Sequence, residues 1–247
     1  MRLALLLFFV ANAALAAEPS GAALAEKISR ARISDGFEAR MSIAVVRFDG
    51  ARAHPVKFAV IGRFTEKNQR LLIRGISPEA VRERYVAAER TEDGAIRAIG
   101  YRSADTNATP ADPYARLFDS TLTVWDMFAP WYGWTRQQIV GTEKVAGRAC
   151  TLLRSQTERG KIREAISCVD PDAGLSLRTQ LFDRNHTLLR TLTVQRLMRK
   201  DSGAMAARKL TVAESGDTTT EVDVYGGDEH YLVSPDTFAR LDTAGGK

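Results

Sequence analysis

The stretch RACTLLRSQTERGKIREAISCV, residues 148–169, decides the fold class. Two runs of strand-forming residues, 148–156 and 161–169, flank Glu158-Arg159-Gly160, where the glycine supplies the positive φ that a tight turn needs. Folding the hairpin about Arg159 sets Leu152 opposite Ile166, an apolar pair, and Arg154 opposite Glu164, an opposite-charge pair. The same register sets Cys150 opposite Cys168. Directly opposed Cα atoms fall within bridging distance, so the spacing predicts a cross-strand disulfide. A slip of one residue would leave the two thiols free on opposite faces.

The same period-two pattern recurs on both sides of that hairpin. Residues 41–48 are strand-like, and 56–64 alternate, with Val56, Phe58, Val60 and Phe64 on one face and Lys57 and Arg63 on the other. Residues 70–74 follow, and 82–90 join 95–102 through Glu92-Asp93-Gly94, a strong turn signal. Beyond the central hairpin, 174–182 turn at Asp183-Arg184-Asn185 into 187–198, and 210–212 turn at Gly216-Asp217 into 218–225. This predicts roughly eleven strands in two groups, joined by hairpins as an antiparallel meander. No fixed repeat is visible, which argues against a propeller or solenoid. A helical period is confined to residues 20–32, with Leu24, Ile28 and Ala31 on one face. A short closing helix is capped by Ser234 with Pro235 at its first position.

The composition suits such a chain. At 247 residues, 45% hydrophobic and 26% charged, it excludes disorder, collagen and coiled coil. The formal charge of +5 is compatible with an anionic membrane surface and is weak evidence for nucleic acid, which is not expected as a partner. Residues 1–16 are expected to be a signal peptide, with Arg2 as the positive end, Leu3 to Val10 as the apolar stretch, and Ala14-Leu15-Ala16 as the cleavage site. Residues 17–247 then form one exported domain, placed in the periplasm. No cysteine lies near the cleavage point to carry a lipid anchor. A disulfide fits that oxidising compartment.

Between the two strand groups lies a loop, residues 104–114, and then Val124-Trp125-Asp126-Met127-Phe128-Ala129-Pro130-Trp131-Tyr132-Gly133-Trp134. All three tryptophans of the chain fall between Trp125 and Trp134, and Pro130 and Gly133 break any long helix. The segment reads as a short helix or turn carrying an aromatic wedge. Such rings either plug a core or line a cavity and its mouth.

Catalytic signatures are missing. His54, His186 and His230 have no partner at helical or zinc-finger spacing, so neither metal nor cofactor is expected. Ser234 lacks the glycines of a nucleophile elbow, and neither cysteine belongs to a C-x-x-C motif. Gly226-Gly227-Asp228 is a turn without the residues of a phosphate loop. Arg63, Arg70, Arg74, Arg82, Arg84 and Arg90 are dispersed along strands, as on a solvated outer face. An enzyme, such as a hydrolase, is therefore disfavoured.

The order of these features resembles the LolA-like superfamily, the outer-membrane lipoprotein-sorting proteins. The resemblance is carried by Phe118 to Met127, by Gly141-Thr142-Glu143-Lys144-Val145-Ala146-Gly147-Arg148-Ala149-Cys150, by Leu181-Phe182-Asp183-Arg184, and by Leu188 to Val194. The Thr218-Thr219-Thr220 strand and Phe238 complete the series, which spans residues 37–241. It implies an α+β, mostly antiparallel fold: a curved, unclosed barrel whose concave face is covered by a few helices. It also implies a non-enzymatic, monomeric periplasmic carrier of lipoprotein acyl chains or free lipid, passing cargo from an inner-membrane exporter to an outer-membrane acceptor. The other reading is a protein-binding scaffold or sensor accessory to an envelope exporter. On the carrier reading, Trp125, Met127, Phe128, Trp131, Tyr132 and Trp134, with Phe58 and Val60, are expected to contact lipid. Arg63 or Arg84 would meet a headgroup or partner.

Overall fold

The computed structural model describes residues 20–105, 107–214 and 218–244; the expected signal peptide and the Gly216-Asp217 turn lie outside them. No described helix is long and apolar enough to cross a membrane. The chain runs α1 (Gly21–Arg30), β1 (Ser34–Arg47), β2 (Val56–Phe64), β3 (Gln69–Ser77), β4 (Arg84–Arg90), β5 (Ile96–Arg102), β6 (Thr109–Ala111) and α2 (Val124–Phe128). It continues as β7 (Arg136–Val145), β8 (Arg148–Gln156), β9 (Glu164–Asp170), β10 (Leu175–Phe182), β11 (Leu188–Arg199), β12 (Met205–Glu214), β13 (Thr218–Asp228) and α3 (Ala239–Ala244).

All thirteen strands form one antiparallel sheet in the order β6-β5-β4-β3-β2-β1-β13-β12-β11-β10-β9-β8-β7. The two expected strand groups are thus two meanders, joined where β1 pairs with β13 from Glu38↔Asp228 to Arg47↔Thr218. Two further strands, β6 and β7, form the unpaired edges, so the sheet does not close into a barrel. It curves enough that the turn after β4 and the turn after β8 line one cleft.

Side chains alternate across this wall. Phe58, Val60 and Phe64 of β2, Leu71 and Ile73 of β3 and Ala88 of β4 face inward in the largest core cluster. Leu72, Ala87 and Ile99 face outward against Phe238 and Leu241. The closing helix therefore covers the convex face of β3–β5, whereas α1 and α2 cover the concave face as expected. Ser234 accepts from the Asp236 amide and Pro235 opens the closing turn, as the sequence indicates. At the other end Ser20 caps α1 by accepting from the Ala23 amide. This helix buries Leu24, Ala25 and Ile28; Ala31 is its exposed C-cap, not part of the buried face.

The central hairpin differs from expectation in register. β8 and β9 pair Leu152 with Cys168, Arg154 with Ile166 and Gln156 with Glu164, two residues from the pairing that a tight turn at Arg159 would set. Ile162 explains the shift. It is 4% exposed, packed in the core with Trp125 and Trp131, so residues 157–163 form a wide loop closed by Thr157 N–H on the Arg163 carbonyl. A slip of two preserves the faces. Cys150 and Cys168 remain on one side and form a disulfide diagonally, their Cα atoms 5.3 Å apart. Arg154 still reaches Glu164 at 3.7 Å.

Candidate functional site

The site is built around the aromatic wedge. Thr123 and Asp126 form a reciprocal capping box that starts α2: the Thr123 hydroxyl accepts from the Asp126 amide, and the Asp126 carboxylate accepts from the Thr123 amide. After Phe128, Ala129 takes a left-handed conformation (φ 45°), which turns the chain into a 3-10 turn, Pro130–Gly133. Trp125 stacks on Tyr114 (centroids 5.4 Å) and lies 5.5 Å from Trp131; Phe128 stacks on Phe64 at 6.0 Å.

Polar contacts tie the wedge to the α1–β1 link and to β7, β11 and β12. Thr121, fully buried, donates to the Val212 carbonyl at 2.6 Å. Arg32 donates to the carbonyls of Met127, at 2.5 Å, and Phe128. Gln137 of β7 donates to the carbonyls of Trp131 and Trp134, both at 2.9 Å. Arg190 of β11 binds Asp126 at 2.5 Å and Glu214 at 3.3 Å. Burial pushes the Asp126 carboxyl above the ordinary carboxylate range, although Arg190 and the Thr123 contacts pull against it. Its Oδ1 has no hydrogen-bond partner.

Beneath the wedge the inner wall is open. A cavity of about 480 Å³ is lined by Val60, Met127, Leu192, Leu210 and Val222 among others. A cavity of about 330 Å³ adjoins it, lined by Trp131 and Tyr132 and sharing Arg32, Asp126, Leu175, Leu192 and Leu210 with the first. Both fall within the usual range of ligand sites, about 300–1,000 Å³. On the wedge's other side, Trp125, Trp134 and Tyr114 line a cleft of about 700 Å³ with Arg90 and the two hairpin turns.

The structure thus divides the sequence-predicted residues. Val60, Met127, Trp131 and Tyr132 line the inner cavities; Trp125 and Trp134 line the aromatic cleft. Phe58 and Phe128 are 0% exposed and belong to the sealed core. Arg63 is exposed on the outer face, and Arg84 is exposed beside Arg102 on a separate groove, so neither lines the inner cavities. Sequence reasoning missed Arg32, Arg90, Asp126 and Arg190. Arg90 was readable in principle: it continues the inward series Val86, Ala88, yet was grouped with the solvated face.

No protein-family model matches this sequence, and no curated protein matches it. Solved structures do share its fold. A DUF1329 family protein from Desulfovibrio piger superposes with a TM-score of 0.79 at 18% identity, covering 90% of this chain and 97% of that one. An outer membrane lipoprotein-sorting protein domain from Vibrio parahaemolyticus gives 0.77 at 15% identity, over 90% and 97%. A LolA superfamily protein from Nitrosomonas europaea gives 0.69 at 13% identity, over 89% and 96%. The chain has the LolA-like fold.

Proposed function

We propose that this protein is a periplasmic carrier whose inner cavity shelters the acyl chains of a lipoprotein or a free lipid on the way to the outer membrane. The observation that carries the reading is the apolar cavity between the inner wall and the wedge, lined by Met41, Val60 and Phe64 on one side and by Leu192, Leu210, Val222 and Met127 on the other. A chain in water gains about 0.8 kcal/mol for each methylene hidden in such a space, without any input of energy. Release then requires only an acceptor that binds the chain better. The lipoprotein-sorting domain among its structural neighbours supports this reading, as does the signal-peptide pattern of residues 1–16. On this assignment Val60, Met127, Trp131 and Tyr132 touch the chain, Phe58 and Phe128 back the wall, and Trp125 and Trp134 guard the cleft. The protein binds its cargo and does not transform it.

Native mass spectrometry of protein purified from periplasm, followed by organic extraction, tests the reading. A co-purifying lipid or acylated protein is expected. A clean apo mass that persists after incubation with membranes would overturn it. A retained membrane protein without extractable lipid would put a protein-binding scaffold in its place.

A further inference from the structure

Several of the less exposed arginines on the sheet find carboxylates. Arg70 meets Glu89 and Asp242, Arg97 meets Glu89, Arg148 meets Asp170, Arg178 meets Glu143, and Arg190 meets Asp126 and Glu214. Two arginines beside the wedge do not. Arg90 ends β4 on its inward face, and its guanidinium lies over Gly133, so close that a Cβ there would collide with Nη2. Its Nε is buried without a hydrogen-bond partner, and burial lowers its pKa from the usual arginine value. Arg32 enters from the link between α1 and β1, with its guanidinium 5.3 Å from the centre of the Phe64 ring. Its two contacts are to neutral carbonyls, those of Met127 and Phe128. Burial chiefly draws the pKa of Arg32 down to about 10, against an upward pull from Tyr132 and with a smaller downward one from Arg90.

The same turn carries two more unused donors. Trp131 Nε1 and Tyr132 Oη are buried and have no partner among the described residues. Two guanidiniums, an indole N–H and a phenol thus gather around Pro130–Gly133. Asp126 borders the same cavities as Arg32, and Glu92, Asp93 and Glu158 border the same cleft as Arg90, but none of these carboxylates pairs with either guanidinium. Burying like charges without a counter-charge is costly, and buried donors are normally satisfied. The missing complement is an anion with several oxygens, which guanidinium forks bind well.

We propose that Arg32 and Arg90, flanking the Pro130–Gly133 turn, hold the carboxylate or phosphate headgroup of an amphiphile whose chain lies in the inner cavity. Arg32 lines the chain cavities and Arg90 the aromatic cleft, so the head sits where the two spaces approach at the turn. The chain runs toward Leu175 and Leu210. The placement of the chain rests on the carrier reading; the anion site rests on the unanswered donors.

Titration calorimetry with dodecyl phosphate, laurate and uncharged monolaurin, which share one chain length, tests the headgroup apart from the chain. The wild type is expected to prefer the two anionic probes by about tenfold, the worth of one charge-assisted contact. Arg90→Gln removes that preference, bringing the affinities for laurate and dodecyl phosphate down to that for monolaurin. Gly133→Ala does the same by displacing the guanidinium, since the residue is exposed and its φ suits alanine. Equal binding of all three probes by the wild type would overturn the inference, as would a preference that survives Arg90→Gln in folded protein. If none of the three probes binds to folded protein, the anion site is overturned along with the carrier reading. Inorganic phosphate binding as tightly as dodecyl phosphate would support the anion site and remove the amphiphile as its source.

Discussion

The two halves of the inner wall do different work. Along β2–β4 the wall is tightly packed: Phe58, Phe64, Leu71, Ile73 and Ala88 pack on Val124 and Phe128 of the wedge, each at most 4% exposed, and only Phe64 and Leu71 of these edge the inner cavity. Along β10–β12 the inward residues Leu192, Val194 and Leu210 are only partly buried and look onto the cavities. The wedge rests Val124 and Phe128 on β2–β4 and Trp125, Trp131 and Tyr132 on β8–β10, so the under-packed stretch of wall lies between these two contacts. The space for a ligand is therefore a consequence of asymmetric packing under one curved sheet, not of a wider barrel.

The largest test of that asymmetry is a pair of truncations. Phe128→Ala on the sealed side is expected to cost about 3–5 kcal/mol, because it empties a fully buried ring site. Leu210→Ala on the open side is expected to cost about 1–2 kcal/mol, since part of its surface already faces empty space, and to weaken laurate binding. Urea unfolding measures both. Equal losses would mean the walls are packed alike.

Next in size is the disulfide, which belongs to the open half. Cys150→Ser with Cys168→Ser releases a loop with a sequence separation of 18, and should lower stability by about 3 kcal/mol. Because the bridge lies in the outer cluster with Leu177 and Val145, chain binding should survive in protein that remains folded. Lost binding at full folding would show that the staple shapes the cavity.

What was legible in the sequence follows from where period-two patterns are strong. The inward series Phe58, Val60, Phe64 and the turn at Glu92-Asp93-Gly94 gave strands and pairing directly. β7 escaped because Gln137, Gln138, Gly141, Thr142, Glu143 and Lys144 show no apolar alternation on a solvated edge. β6 escaped because Pro110 sits in it, which only an edge strand tolerates. β1 begins at Ser34, earlier than Met41, with a bulge at Arg40/Met41 that breaks the pattern. The wedge was visible from its tryptophans and its broken helix. The register of β8 and β9 was not, because Ile162 chooses a tertiary partner over a tight turn. The site arginines were hidden for a similar reason: an inward charge at a strand end looks like any other surface arginine until the opposing element is known.

Asp126 offers a smaller and more discriminating probe of how the wedge meets the open half. Asp126→Ala removes the acceptor for the Thr123 amide and for Arg190, which keeps Glu214, and should cost about 1–3 kcal/mol. The pH dependence has a definite sign. Since the carboxyl is raised in the folded protein, the native state holds its proton more tightly than the unfolded chain. Stability from this group is therefore greatest below the ordinary carboxylate range and falls as pH rises through the raised value. Asp126→Asn, which keeps an acceptor oxygen, should flatten that part of the curve in unfolding measured from acid to neutral pH. An unchanged slope would mean Arg190 governs the carboxyl and burial does not.

The smallest expected effects fall on the outer arginines. Arg63 stands directly opposite Arg70, and Arg84 opposite Arg102, so each is a like-charge pair across neighbouring strands. Such pairs destabilise slightly, and exposure screens them. Arg63→Ala and Arg84→Ala should each shift stability by no more than about 0.5 kcal/mol, in the stabilising direction if at all. Dodecyl phosphate binding should be unchanged in both, in contrast to Arg90→Gln. A loss at Arg84 comparable to that at Arg90 would move the headgroup contact to the groove beside Arg102. The functional difference between the two ends of β4 would then vanish, because a charge at either end would serve the same anion.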